Sequence, residues 1–288
     1  MDDLFPPFAP EPNEPKSAEP RSADTRSRRF KAVPVRMIIP NMITLMAVCL
    51  GLTAVRLAFE GKFEPAVIAI VAAAVLDGVD GRVARLLKGT SRFGAELDSL
   101  ADFVNFGCAP ALILYSFVLH NLKSLGWIVA LIFAIAMALR LARFNVMLDD
   151  PNRPEWKKDF FVGMPAPAGA LTVMLPLYLH FLGFELSPSL APVALVYMLV
   201  IALMVISTVP TFSGKTVGKR VPREYVLPIF VVTVAAFGLL ISFPFEILAL
   251  LSLGYLGAIP IGANQYRRRL KAEAAEAPAH PRDEAPAA

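Results

Sequence analysis

Apolar runs of about 17 to 22 residues, separated by short polar stretches, recur along nearly the whole chain. A helix needs about 20 apolar residues to cross a bilayer core of about 30 Å, so runs of this length are the strongest constraint on the fold. Composition agrees. Of 288 residues, 56% are hydrophobic and 18% charged, with a mean hydropathy of +0.57. Soluble domains are about a quarter charged. A soluble enzyme, a disordered chain and a coiled coil are excluded. So is a β-barrel, whose segments would be about 10 residues of alternating polarity. The expected fold is all-α, a polytopic membrane helical bundle. Cys49 and Cys108 lie inside apolar runs and form neither a disulfide framework nor a zinc pattern, so they read as small hydrophobes.

Eight candidate spans follow, roughly 37–58, 63–80, 95–120, 124–147, 165–183, 190–209, 224–243 and 245–262. The first is expected to start at Pro40-Asn41, a helix-start signal. Residues 1–33 are rich in Pro, Glu, Ser, Ala and Arg and read as a disordered tail without the apolar segment of a signal peptide. Residues 34–265 form the transmembrane domain, and 266–288 read as a second disordered tail. Of the 28 Lys and Arg residues, 25 fall on one side: the N-terminal tail, Arg82 to Arg92, Arg140 to Lys158, Lys215 to Arg223 and the C-terminal tail. Only Arg56, Lys62 and Lys123 fall on the other. Basic loops mark the cytoplasmic side, so both termini are expected in the cytoplasm, as an even number of spans requires. The net charge of +4 therefore calls for no nucleic-acid partner. His120 and His180 lie near helix ends on the opposite face and receive no role.

Four acidic residues break the apolar pattern. Asp77 and Asp80 close one run; Asp98 and Asp102 fall in the first turns of the next. A carboxylate at membrane depth costs about 3 kcal/mol on translocon scales. Spacings of i, i+3 and i, i+4 put each pair on one helix face. A short connection makes the two helices neighbours, so all four carboxylates are expected to point into one cavity at the cytoplasmic end. Oxygen donors without Cys or His suit Mg²⁺ or Mn²⁺ rather than zinc. Two such ions about 3.5–4 Å apart are the usual device for phosphoryl displacement. Gly81, Ala84 and Gly94 are small enough for backbone to approach a ligand. Arg82, Arg85, Lys88 and Arg92 bring cations and Ser91 a hydroxyl, although Arg82 and Lys88 serve equally well as topology markers.

Residues 77–102 read Asp-Gly-Val-Asp-Gly-Arg-Val-Ala-Arg, eight residues, Gly94, three residues, Asp98, three residues, Asp102. This resembles, at every fixed position, the signature of the CDP-alcohol phosphotransferase family. The resemblance implies a six-helix catalytic core and an enzyme that displaces CMP from a CDP-linked lipid with an alcohol. It implies metal ligation by Asp77, Asp80, Asp98 and Asp102, and Asp102 as the catalytic base. It places CDP contacts at Gly81, Arg85, Ser91 and the Pro40-Asn41 helix start. It also implies a homodimer. Phe103–Ala111, Ala138–Asn145, Gly163–Pro167 and Pro210–Lys215 are similar to segments of the branch that makes phosphatidylserine, the membrane-integral phosphatidylserine synthases. Eight spans, rather than six, fit that branch. Asn105 departs from it, standing where Ser is more usual. The donor would be CDP-diacylglycerol, the acceptor L-serine, and the location the cell (inner) membrane with the site facing the cytoplasm.

The chemistry is consistent with these residues. A serine hydroxyl is a weak nucleophile, and the diphosphate repels it. Divalent ions neutralise that charge and stabilise the leaving group, while a carboxylate takes the hydroxyl proton. Serine also brings its own carboxylate. Arg140 and Arg143, three residues apart at the end of the fourth span, are candidates for that carboxylate or for a lipid phosphate; they also fit as topology markers. Lys215 and Arg220 fit either description. Two alternatives stand beside the serine reading. One keeps the chemistry with glycerol 3-phosphate, inositol phosphate or choline as acceptor; a phosphate acceptor should need a denser basic pocket. The other is a cation transporter, whose acids would lie near the bilayer centre on repeated, broken helices.

The asymmetry of Lys and Arg gives a direct test of orientation. In a variant freed of native cysteines, single cysteines at positions 20, 88 and 275 should resist a membrane-impermeant thiol reagent in intact cells. One at position 122 should react. Labelling at 88 from outside would reverse the topology.

Overall fold

A computed structural model of the chain describes residues 35–89, 91–148, 160–185, 188–207, 210–212 and 223–276. The tails 1–33 and 277–288, together with Lys215 and Arg220, lie outside the described residues. The apolar runs form helices in the expected order. Helix α1 (Val35–Phe59) turns back through a short loop into α2 (Phe63–Leu86). Helix α3 (Arg92–Asp102) passes through a π-helical turn, Phe103–Cys108, into α4 (Ala109–Phe117). Next come α5 (Ser124–Leu148), α6 (Ala166–Val173), α7 (Leu175–Phe181), α8 (Ala191–Ile206), α9 (Arg223–Ser242) and α10 (Pro244–Glu276).

Five helical segments among the described residues are long and apolar enough to cross a membrane: Ile38–Phe59, Arg92–Phe117, Ser124–Met147, Pro188–Ile206 and Tyr225–Ser242. The chain is an integral membrane protein. Helix α2 has the length but carries Glu64, Asp77 and Asp80. The stretch expected as a fifth span is divided at Met174 into α6 and α7, with Pro176 in the first turn of the second piece.

Three local features differ from expectation. Pro40 does not open the first helix but lies inside α1; it forfeits one backbone hydrogen bond, and the helix continues through it. Helix α10 runs on to Glu276, past the point where a tail was expected. The all-α expectation also omits a small antiparallel ribbon, β1 (Phe160–Val162) with β2 (Pro210–Phe212), in the register Phe160 to Phe212. Strands of three residues are too short for alternation to show in sequence. The π-helical turn has a cause nearby. Pro110 has no N–H, and its ring would crowd the Phe106 carbonyl in a regular α-helix. The turn widens instead, and the Ala109 N–H bonds to the Val104 carbonyl, five residues back.

Small side chains set the closest packing. Helices α1 and α2 pack against each other and carry buried Ala54, Ala58, Ala66, Ala69 and Ala73. Without a hydrophobic drive inside lipid, such close backbone approach supplies much of the association. Phe133 and Met137 of α5, Tyr178 of α7 and Met198 of α8 fill the rest of the core. By contrast, the α9 span buries none of its described side chains. At the α1–α2 turn, Arg56 donates to Glu60 at 2.8 Å and Lys62 at 2.9 Å. Lys62 first, then Arg56, hold the Glu60 carboxyl below its ordinary range. Two of the three basic residues on the sparsely charged side are thus paired with an acid.

The reversal between α4 and α5 rests on Gly126, where an added Cβ would overlap the Leu119 carbonyl oxygen and stand 2.8 Å from the carbonyl carbon. The obstacle is backbone and cannot swing away. Gly126→Ala should therefore destabilise the protein by about 1–3 kcal/mol, as overpacking does. Thermal unfolding in detergent, compared with Gly257→Ala as a second helical glycine substitution with nothing within 4 Å, reads the effect.

Candidate active site

The aspartates reach their positions through ordinary helix geometry. Ser91 caps α3, its Oγ accepting the Gly94 N–H at 3.0 Å. That cap fixes the helix phase, so Asp98 and Asp102, one turn apart, share a face. Asp77 meets them from α2. One carboxylate oxygen from each of Asp77, Asp98 and Asp102 lies within 4.8 Å of the others. Asp80 is turned from this trio toward α1, where the Thr44 hydroxyl donates to its Oδ2 at 2.5 Å. It is buried, at 3% exposure. It remains within electrostatic reach of Asp77 and Asp98. The expected set of four is thus three clustered carboxylates and one held alongside.

Thr44 was not singled out in the sequence. Its signal is position: it follows Pro40 by four residues, on the same face of α1. Its hydroxyl also lies 3.1 Å from the Pro40 carbonyl.

Beside the cluster is a cavity of about 430 Å³, lined by Pro40, Asn41 and Thr44 of α1, Asp80, Gly81, Ala84 and Arg85 of α2, and Gly89, Ser91, Gly94, Ala95 and Asp98 around the start of α3. Every residue expected to contact CDP is on this wall. A Cβ at Gly81 would meet nothing within 4 Å, so the glycine leaves open space. At Gly94 a Cβ would stand 3.0 Å from Asn41 Oδ1 and 3.2 Å from Ser91 Oγ, so a side chain would crowd the wall. Arg82, Lys88 and Arg92 are exposed and do not line the cavity. Asp98 belongs to both the cavity and the carboxylate trio, and so joins them.

The trio fits a divalent cation. All its donors are carboxylate oxygens, the chemistry of Mg²⁺ or Mn²⁺. Asp102 Oδ1 is buried and has no hydrogen-bond partner among the described residues. A cation would satisfy that atom and relieve the repulsion among the three.

Arg140 and Arg143 separate. Arg140 is buried, at 7% exposure, with its guanidinium over the Phe144 ring at 5.5 Å and within electrostatic reach of Asp102. Among the described residues it forms no ion pair. Arg143 points elsewhere: Nη1 donates to the Ile206 carbonyl at 2.7 Å and Nη2 to the Ser207 carbonyl at 3.1 Å. It caps the end of α8 and passes beside Gly163, where a Cβ would come within 3.0 Å of Nη2. Asn145 donates to Ser99 Oγ at 2.9 Å, tying α5 to α3.

Comparison with known proteins agrees with this arrangement. Residues 37–207 match the family model of the CDP-alcohol phosphatidyltransferases, and residues 224–260 match a second model, CDP-alcohol phosphatidyltransferase 2. A Mycobacterium leprae protein named CDP-diacylglycerol–serine O-phosphatidyltransferase is 41% identical over 234 residues, which is 80% of this chain and 76% of the relative. Its Mycobacterium tuberculosis H37Rv namesake is 51% identical over 137 residues, 48% of each chain. The Bacillus subtilis protein of that name is 39% identical over 138 residues, 48% of this chain and 74% of its own. The first match spans the aspartates, the cavity wall and Arg140 together, and on that ground the chain belongs to the CDP-alcohol phosphatidyltransferase family.

Proposed function

We propose that this protein transfers the phosphatidyl group of CDP-diacylglycerol to the hydroxyl of L-serine, giving phosphatidylserine and CMP. The observation that carries this reading is the position of Asp98, at once in the wall of a nucleotide-sized cavity and in a cluster of three carboxylates. A diphosphate seated in that cavity meets the cluster at its reacting phosphorus. The names of the relatives supply serine as acceptor.

In this mechanism Pro40, Asn41, Gly81, Arg85 and Ser91 surround the CMP portion. Asp77, Asp80, Asp98 and Asp102 are the residues that would hold the divalent ions, two in this reading. Mg²⁺ or Mn²⁺, when bound, neutralises the diphosphate and the departing CMP. The Thr44 hydroxyl keeps Asp80 oriented. The serine oxygen bonds to the phosphatidyl phosphorus as the bond from that phosphorus to CMP breaks. Asp102 accepts the hydroxyl proton, and CMP leaves. Arg140, buried near Asp102, faces the serine carboxylate or the lipid phosphate.

The reading extends to eight membrane-crossing segments in a transmembrane domain at 34–265, a tail at 1–33, a C-terminal extension at 266–288 whose first part is the end of α10, and a homodimer in the cell (inner) membrane with its site open to the cytoplasm. A phosphate-bearing acceptor is less well served. Arg143 is occupied by backbone carbonyls, which leaves Arg140 as the buried cation near Asp102 among the described residues. A cation transporter does not agree with the family.

The deciding experiment incubates purified protein with CDP-diacylglycerol, each metal in turn, and labelled serine or glycerol 3-phosphate. CMP and the lipid product are read together. Turnover with glycerol 3-phosphate but not serine overturns the acceptor.

Two variant pairs probe the assignments. Asp102→Asn should lose serine transfer by about 10²- to 10⁴-fold, the range of a general base, while keeping measurable metal-dependent binding of CDP-diacylglycerol. Asp77→Asn should lose binding and turnover together. Calorimetry or thermal shift with and without divalent ion, paired with CMP release, separates them, and near-normal turnover in Asp102→Asn refutes the base.

Arginine's fork is not reproduced by lysine. Arg140→Lys should raise the serine KM about several-fold, whereas Arg143→Lys should chiefly lower thermal stability, by about 1–2 kcal/mol, through lost hydrogen bonds to α8. A serine KM unchanged in Arg140→Lys removes that residue from the acceptor site.

A further inference from the structure

Asn105 is fully buried, and neither its Oδ1 nor its Nδ2 has a hydrogen-bond partner among the described residues. A buried amide left unpaired lowers stability, so folding alone gives no reason for one here. The residue lies within the π-helical turn that starts directly after Asp102. Widened turns of this kind occur often at functional sites.

The contact that holds it is unusually close. A Cβ added to Gly51 of α1 would overlap Asn105 Oδ1 and stand 3.0 Å from its Cγ and 3.4 Å from its Cα. Only glycine lets α1 approach the turn this closely. Gly51 also lies about two helical turns beyond Thr44, on the same face of α1. That face therefore touches the carboxylate site twice. Thr44 bonds to Asp80 on α2, and Gly51 seats the turn that follows Asp102.

We propose that Asn105 is a positioning residue, whose fit against Gly51 seats the turn that Pro110 widens and with it fixes the direction in which Asp102 meets the acceptor hydroxyl. The proposal rests on Asp102 being the proton acceptor. It makes the sizes of residues 51 and 105 interdependent, with the effect read in the chemical step. Neither residue lines the nucleotide cavity, so donor binding is spared.

The test is a double-variant cycle on purified full-length protein, measuring kcat and KM for CDP-diacylglycerol and serine. Gly51→Ala overfills the contact and should lower kcat about 10- to 100-fold, the scale of a misplacement near 1 Å, with the CDP-diacylglycerol KM within about twofold of the parent. Asn105→Ser shortens the side chain and should lower kcat about threefold. In the double variant the shorter side chain makes room for the new methyl, and kcat should return to the Asn105→Ser value.

Asn105→Gln overfills the same contact from the other helix while α1 stays intact. It should reproduce the kcat loss, and it carries the test if Gly51→Ala does not fold. A parental kcat in Gly51→Ala or Asn105→Gln overturns the proposal. So does a double variant no better than Gly51→Ala, or a loss that appears in the CDP-diacylglycerol KM instead. Failure of the acceptor assignment is a separate outcome: the parent would then turn over glycerol 3-phosphate and not serine, and the same cycle is measured with that acceptor. Failure of the base assignment appears in Asp102→Asn alone.

Discussion

Like charges held together in an apolar bundle are the constraint around which this protein is organised. Three carboxylates lie within 4.8 Å of one another. Two unit charges about 4 Å apart repel by about 4 kcal/mol at an effective dielectric of 20. The packing of the surrounding helices has to offset a cost of that order. The load is spread. Alanine packing joins α1 to α2, the Ser91 cap sets the phase of α3, Asn145 ties α5 to Ser99, and Thr44 takes Asp80 out of the cluster. The same repulsion makes the site useful. A scaffold that keeps carboxylates close, with no ion pair to them among the described residues, has a strong demand for a divalent ion.

Much of this is legible in the residues because it is local. The spans follow from hydropathy, and the pairing of aspartates follows from helical periodicity at i, i+3 and i, i+4. The cavity wall is legible for a related reason: Gly81, Arg85, Ser91 and Gly94 lie within one short stretch around the α2–α3 turn. What the sequence conceals is contact between distant segments. Nothing near Arg143 marks its bonds to Ile206 and Ser207, more than 60 positions away. Arg140 and Arg143, alike in charge and spacing, separate only when α8 is placed beside α5. The Thr44–Asp80 bond crosses two helices in the same way. Pro110 gives a hint of the π-helical turn, but a proline near a helix start ordinarily signals no such widening. The β1–β2 ribbon is too short to leave a pattern.

The two arginines show how one residue type divides its work within a single helix. Arg143 spends its planar fork on backbone carbonyls that the end of α8 leaves without partners. It joins α5, α8 and the Gly163 turn into one support. Arg140, one turn earlier, is desolvated against Phe144 and keeps its charge within reach of Asp102. The support holds the helix that carries Arg140 near Asp102.

Helix α9 stands at the opposite extreme from α1. Its membrane-length span buries none of its described side chains, whereas α1 meets α2, the carboxylates and the π-helical turn along its length. Inside a bilayer, lipid tails are as apolar as a leucine side chain. An exchange of Leu, Ile, Val or Phe on the exposed face of α9 therefore swaps one equally good apolar surface for another. At Gly51, even a methyl group has no room. Over evolutionary time the two helices should drift at very different rates: α9 free to wander among apolar residues with only hydropathy kept, and α1 nearly frozen along the face that carries Pro40, Thr44 and Gly51.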